Sequence, residues 1–174
     1  MVHPANQPDR SSPYYDFFIQ QLPSHGVGFC FFDRRGSGKS KGDFDSADFE
    51  LLADDVVAAV DAIRTLEMDI SSIHLLGISQ GGWIAPIAAA HGAVIDSLIL
   101  GSACGVSPAE QMTFAAFNAL QTAGYGNEIH ILARTLRWKV DEYYRTGKNR
   151  QQLQTELDGF KKEPWFDLCY LPGD

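Results

Sequence analysis

A short apolar run that leads directly into a Gly-x-Ser-x-Gly turn limits the folds open to this chain more than any other feature. The apolar run is residues 73–77, the turn is residues 77–81, and an alanine-rich segment of helical character follows to about His91. The order strand, sharp turn, helix places the turn at the end of a strand in a sheet that helices cover. Gly77 and Gly81 let strand and helix approach closely, because neither carries a Cβ atom.

Ser79 stands at the centre of this turn, where a strained backbone exposes the side chain at the edge of the sheet. The next helix begins directly after Ser79. Its free N–H groups and the partial positive charge of its N-terminus point toward the hydroxyl. An oxygen that becomes negative when Ser79 attacks a carbonyl carbon would be stabilised there. We therefore predict that Ser79 is the nucleophile of a serine hydrolase. The alternative is a glycine-rich turn in another kind of α/β sheet.

Composition and charge narrow the range of partners. The chain has 174 residues and a net charge of -8, which argues against nucleic acid as a partner because a phosphate-binding surface needs a basic excess. No apolar run reaches the roughly 18 residues that a membrane span needs. Three cysteines without Cys-x-x-Cys spacing argue against a disulfide framework and against a metal site, and we predict no cofactor. The start of the chain lacks the features of a signal peptide, which favours the cytoplasm but leaves the compartment open.

Strand and helix patterns alternate on both sides of the turn. In chain order they predict a strand at 27–33, a helix at 46–66, a strand at 73–77, a helix at 79–91 and a strand at 94–101. Pro86 is expected to kink the second of these helices or to end its first half. Parallel strands joined by helices predict a three-layer α/β/α sandwich with a parallel sheet.

The character of the chain changes after the last predicted strand. Ser107 and Glu110 have the spacing of a capping box, and helical patterns follow to the end of the chain without any further strand pattern. We therefore divide the chain into an α/β core at 1–106 and a helical insertion at 107–174.

Three blocks of sequence resemble the α/β-hydrolases that are grouped with serine peptidases and small esterases. The blocks are His3-Pro4-Ala5-Asn6, Asp33-Arg34-Arg35-Gly36-Ser37-Gly38-Lys39-Ser40 and the elbow with its helix at 77–86. The resemblance covers about residues 2–105 and implies that 107–174 is a cap. It also implies a carboxylic ester or a related acyl bond as the substrate, in a small molecule or a short peptide, with peptidase activity as an alternative to esterase activity.

The resemblance further implies an oxyanion hole made of two backbone N–H groups. One belongs to Gln80, which follows the nucleophile at the start of the helix. The other belongs to the loop at 3–6, where Ala5 is our predicted donor because Pro4 has no N–H. The loop that holds Arg34 and Arg35 is predicted to lock the structure rather than to hold substrate.

The acid and the base that complete such a site are not predicted within this chain. In the family an Asp or Glu and then a His follow the serine in chain order, on loops after strands that come after the cap. None of the five histidines here is predicted to act as the base. We therefore expect an internal fragment of a larger hydrolase, nearly inert alone. A small complete relative is the alternative, in which Ser79 would lack its activators.

Two other functions stay open at this point. Gly38-Lys39-Ser40 ends like a phosphate-binding loop, but Asp33 stands where that pattern needs glycine, which argues against a nucleotide site. A hydrolase-like scaffold that only binds its ligand is the second alternative.

Sheet edges without a neighbouring strand also predict self-association.

Overall fold

The computed structural model describes residues 1–2, 10–11 and 13–172. The chain forms two compact units, Met1–Cys104 and Gly105–Asp174. The first unit contains the helices α1 (Asp16–Gln21), α2 (Phe49–Arg64) and α3 (Gly81–Ala90) and the strands β1 (His74–Ile78) and β2 (Ser97–Gly101). The two strands are parallel, with His74 opposite Ser97 and Ile78 opposite Gly101. The prediction of an α/β fold with a parallel sheet is confirmed.

The core of the first unit lies among α2, α3 and β1. Asp48 begins α2 by accepting a hydrogen bond from the Leu51 N–H, which satisfies one of the free donors of the first turn. Apolar side chains at helical spacing then face the core. The buried core residues are Val2, Leu52, Ala53, Val56, Val60, Ile73, Leu75, Ile84, Ala85, Ala88 and Ala93. Burial of this set stabilises the contact between the helices and the sheet.

Residues 27–33 do not form a strand, so this part of the sequence prediction is wrong. The ammonium group of Met1 donates to the Cys30 carbonyl at 2.6 Å, and the Val2 N–H donates to the Leu76 carbonyl at 2.8 Å. Met1 and Val2 thus lie between this segment and β1. Among the described residues, these two bonds do not extend into a ladder, and the apolar run stays outside the hydrogen-bonded sheet of β1 and β2.

The side chains of this apolar segment nevertheless face two sides, as a layered fold requires. Phe31 stacks on Tyr15 with ring centroids 4.5 Å apart, and Phe29 stacks on Phe18 at 5.0 Å. Phe32 instead packs against the core that α2 and α3 form. Helical elements therefore lie on both sides of the extended layer in this unit.

Helix α3 runs from Gly81 to Ala90 with Pro86 inside it. Of the two effects predicted for Pro86, an end to the first half of the helix is not observed, and a kink stays a prediction. Proline removes one backbone hydrogen bond. Full burial of Ala85 and Ala88 on either side of it keeps both halves of the helix in the core.

The second unit is helical, with α4 (Pro108–Thr122), α5 (Asn127–Thr146) and α6 (Arg150–Asp158). The predicted capping box is confirmed: the Ser107 hydroxyl accepts the Glu110 N–H, and the Glu110 carboxylate accepts the Ser107 N–H at 3.0 Å. The buried core residues of this unit are Ala116, Leu120, Ala133, Leu136, Val140, Leu153, Leu157, Trp165, Phe166 and Cys169.

Among the described residues, the outer edge of β2 has no neighbouring strand. Leu98, Ile99 and Leu100 are 37%, 54% and 45% exposed there. Self-association through this edge stays a prediction. Within the described part of the chain, every helix is too short or too polar to cross a membrane.

His91 ties the C-terminal end of α3 to α2. Its Nδ1 lies 2.8 Å from Asp54 Oδ1, and its Nε2 lies 2.9 Å from Glu50 Oε2. The hydrogen bond to Asp54 is the main cause that raises the pKa of His91 above its ordinary value of 6.5. Both carboxylates favour the protonated ring, so the tie is strongest when His91 carries its charge.

We therefore expect the thermal midpoint of the chain to fall as the pH rises through the raised pKa of His91. The stabilisation is complete below pH 6.5, where the ring is protonated in the folded and the unfolded chain, and it is lost as the folded chain releases its proton. His91→Gln should lack this part of the pH dependence. His74→Gln, which removes a ring that the hydroxyls of Ser72 and Ser97 bind, should keep it. If the melting temperatures of wild type and His91→Gln change by the same amount from pH 6 to 9, the prediction is contradicted.

Candidate active site

Ser79 occupies a sharp turn between β1 and α3, and its backbone is held on both sides. Its φ angle is 54°, in the left-handed region that residues other than glycine rarely adopt. Its N–H donates to the Gly101 carbonyl at 3.0 Å, and its carbonyl accepts from the Gly82 N–H at 2.8 Å. The side chain is exposed. These bonds fix a strained, exposed serine at the end of the sheet.

Two glycines allow the turn to be this tight. A Cβ atom on Gly77 would overlap the Gly81 carbonyl and would lie 3.0 Å from the Ala85 methyl group. A Cβ atom on Gly82 would overlap the side chain of Ala103, which follows β2. Even alanine at either position would therefore force the backbone to move.

Gln80 occupies the N-cap position of α3, directly after Ser79. Among the described residues, no group accepts a hydrogen bond from its backbone N–H. As far as the described residues go, this donor has no acceptor, and it lies beside the serine at the positive end of a helix. The side chain of Gln80 is engaged, since its Oε1 accepts from Arg34 Nη1 at 2.7 Å. Ala5, the other predicted donor, lies outside the described residues.

A buried carboxylate fills the loop that resembles a phosphate-binding loop. Asp33 accepts the Lys39 N–H at 2.8 Å and the Arg10 N–H at 2.7 Å. The Arg10 side chain also pairs with it at 3.1 Å. These bonds, the one from the Lys39 N–H above all, lower the pKa of Asp33 to about 2. Gly38, at φ 51°, brings the loop backbone against the carboxylate. A phosphate would meet a negative charge where it needs donors, so this loop is not a nucleotide site.

The two arginines of this loop have different partners. Arg35 forms an ion pair with Asp55, with Nε 2.7 Å from Oδ2, and that hydrogen bond raises the pKa of Arg35. This pair agrees with the predicted structural lock. Arg34 is buried and lies over the Phe44 ring at 4.7 Å while it donates to Gln80. Sequence reasoning missed this link, because the two residues lie 46 positions apart and no motif joins them.

Two histidines of the first unit are bound away from the turn. His74 begins β1, so the strand separates it from Ser79 by about 16 Å. His91 follows α3, whose length separates it from the turn by about 15 Å. His3 lies outside the described residues. The remaining histidines are His25, in a 3-10 turn, and His130, in the second unit.

A second serine in the left-handed conformation stands next to the turn. Ser102 has a φ angle of 50° and is exposed directly after β2. The residue before it, Gly101, accepts the Ser79 N–H. Two strained serines thus follow neighbouring parallel strands at the same edge of the sheet. Sequence reasoning did not single out Ser102, because a serine after an apolar strand is ordinary.

A strained serine between a parallel strand and a buried helix, at the end of an α/β sheet, is typical of the α/β-hydrolase fold. A model of the family described as "Serine aminopeptidase, S33" matches residues 9–158. The chain belongs to this family of α/β-hydrolases, as its sequence predicted.

A relative supports the same assignment. The chain is 37% identical over 91 residues to the "AB hydrolase superfamily protein YisY" of Bacillus subtilis (strain 168), an alignment that covers 51% of this chain and 32% of that protein. The chain therefore spans about a third of the length of this relative. No solved structure matches the chain.

Proposed function

We propose that this chain carries the nucleophile of a serine hydrolase that acts on a carboxylic ester or a related acyl bond, and that Ser79 is this nucleophile. The observation that carries the proposal is the backbone of Ser79, held at φ 54° between β1 and α3 with its side chain exposed. The N–H of Gln80 stands beside it without an acceptor among the described residues. Family membership supports hydrolysis as the reaction.

The proposed reaction has two stages. Ser79 Oγ adds to the carbonyl carbon of the substrate while a general base takes the hydroxyl proton, and the carbonyl oxygen becomes negative. The Gln80 N–H stabilises that oxygen, and the Ala5 N–H is our proposed second donor. When the tetrahedral intermediate collapses, the leaving group departs with the proton from the base. Water then hydrolyses the acyl-serine by the same steps.

The base and the acid that orients it are proposed to lie outside this chain. A serine hydroxyl that keeps its proton at neutral pH is a poor nucleophile, and His74 and His91 are bound to other groups away from the turn. The chain spans about a third of the length of its relative, so a longer polypeptide has room for both groups. We propose that the chain alone is nearly inert and that the complete polypeptide is active.

A peptide bond is the second candidate substrate, because the matching family is described as serine aminopeptidases. Esters and peptides pass through the same tetrahedral intermediate, so the turn at Ser79 suits both. The ratio of kcat/KM for a p-nitrophenyl ester to that for an aminoacyl p-nitroanilide, measured on the complete polypeptide, would separate the two.

We expect a fluorophosphonate probe to label Ser79 in the complete polypeptide, because the probe reacts only with a serine that a base activates. Ser79→Ala should remain unlabelled. Ser102→Ala is the matched control, since it removes a second exposed serine with positive φ at this edge of the sheet, and it should label like wild type. Mass spectrometry of the digested protein would identify the labelled residue.

Two outcomes would contradict the proposal. Labelling that persists in Ser79→Ala would assign the reactive group to another residue. Absence of labelling in the folded wild-type polypeptide would favour the remaining alternative, a hydrolase-like scaffold that only binds its ligand.

A further inference from the structure

We propose that Arg34 is a positioning residue for the oxyanion hole and that it acts through the side chain of Gln80. This inference rests on the proposed role of Ser79. Arg34 Nη1 donates to Gln80 Oε1 at 2.7 Å, and Gln80 carries the backbone N–H that the proposed reaction uses. The guanidinium thus holds the side chain of the residue whose main chain must face the developing negative charge.

The surroundings of Arg34 are unusual for a residue that only fastens a loop. Its exposed fraction is 8%, and among the described residues no carboxylate lies within ion-pair distance of it. Its Nε is buried and makes no hydrogen bond with the described residues. A buried arginine normally pairs with an acid, because an uncompensated buried charge is costly. Within the described part of the chain, no acidic group compensates the charge of Arg34 beside the first turn of α3.

The loop already has anchors that do not need Arg34. The carboxylate of Asp33 accepts the Lys39 N–H within the loop and the Arg10 N–H from outside it, and Arg35 pairs with Asp55. The side chain of Arg34 instead extends away from the loop and donates to Gln80, the residue next to Ser79. Its partners are a neutral amide and the face of the Phe44 ring, neither of which neutralises a positive charge.

This arrangement assists an oxyanion in two ways. The hydrogen bond restricts Gln80, so the N–H of this residue is already oriented when the carbonyl oxygen becomes negative. The positive charge of Arg34 adds to the partial positive charge at the N-terminus of α3. Both effects stabilise the transition state rather than the bound substrate. They should therefore appear in kcat and leave KM nearly unchanged.

The test is steady-state kinetics of the complete polypeptide on a p-nitrophenyl ester, with Arg34→Met, Gln80→Met and the double variant. Each single variant should lower kcat about 10- to 100-fold, with KM within about twofold of wild type. The double variant should be no slower than the slower single variant, because both substitutions remove one interaction. Arg35→Met is the matched control from the same loop. It should keep the wild-type kcat per active site, even where it lowers the melting temperature.

A second measurement separates this role from a merely structural one. A trifluoromethyl ketone adds to the serine and leaves a negative oxygen in the oxyanion hole, so its affinity should fall by the same factor as kcat/KM in Arg34→Met. The affinity for the matching secondary alcohol, which cannot form that oxygen, should stay within about twofold. Where Arg34→Met does not fold, Gln80→Met carries the test, since the Gln80 side chain is only half-buried.

Three results would overturn the inference. The first is wild-type kcat in Gln80→Met or in folded Arg34→Met. The second is a double variant whose loss equals the product of the two single losses. The third is equal weakening of ketone and alcohol binding. Ser79→Ala, assayed alongside, distinguishes failure of the proposed role of Arg34 from failure of the proposed function of Ser79. If Ser79→Ala is inactive and Arg34→Met is normal, only the role of Arg34 fails; if Ser79→Ala keeps full turnover, both proposals fail.

Discussion

Replacing Ser79 with alanine in the complete polypeptide will lower kcat for an activated ester by a factor of about 10⁴ to 10⁶, the loss typical of removing a nucleophile from a complete catalytic triad. The side chain is exposed and makes none of the hydrogen bonds that hold the turn, since those come from its backbone. Alanine should therefore leave the fold intact. Hydrolysis of p-nitrophenyl acetate, followed by absorbance and corrected for active-site concentration, measures the effect.

Two further samples make this result specific. Ser102→Ala, at the neighbouring strained serine, should keep kcat within about threefold of wild type, the range expected of a substitution outside the reacting groups. The isolated chain 1–174 should turn over about as slowly as Ser79→Ala, because its serine lacks the proposed base. Activity of the isolated chain near that of the complete polypeptide would mean that the base lies within these 174 residues, and our account of the site would be wrong on that point.

The turn at Ser79 was predictable because all the information for it is local. The strand, the two glycines and the following helix lie within residues 73–91. The structure adds the reason for the first glycine: a Cβ atom on Gly77 would overlap the Gly81 carbonyl. The capping box at Ser107 was predictable for the same reason, since both partners lie within four residues.

Features that depend on distant partners were not predictable. An apolar run at 27–33 predicts a strand, but strand formation also needs a neighbour to pair with. Among the described residues, the backbone of Met1 bonds to this run and Val2 bonds to β1. The hydrophobicity of a segment does not show whether a neighbouring strand is there to pair with it. The hydrogen bond from Arg34 to Gln80 was unpredictable for the same reason. It joins two motifs that are each recognisable, but neither motif indicates that the two are in contact.

Replacing Asp33 with asparagine will lower the free energy of unfolding of the first unit by about 2 to 4 kcal/mol, the cost of leaving buried donors unsatisfied. One carboxylate oxygen accepts the Arg10 N–H and the other accepts the Lys39 N–H. An asparagine amide offers one oxygen and one NH₂ group, so one of these N–H groups would face another donor. Asp55→Asn is the matched control. Its ion pair with Arg35 is about a quarter exposed on each side, and its loss should cost at most about 1 kcal/mol.

The effect of pH separates the charge of Asp33 from its shape. The bonds to Arg10 and Lys39 lower the pKa of this carboxyl from 3.8 to about 2, so its stabilisation is complete above pH 3.8 and is lost as the pH falls toward 2. The difference between wild type and Asp33→Asn in urea unfolding should therefore be constant from pH 5 to 7 and should narrow below pH 4. Hydrogen exchange of residues 34–43 should report the same loss locally, because the carboxylate holds this loop. A difference that stays constant down to pH 2.5, or that equals the loss in Asp55→Asn, would mean that Asp33 fills space in the loop without anchoring it through its charge.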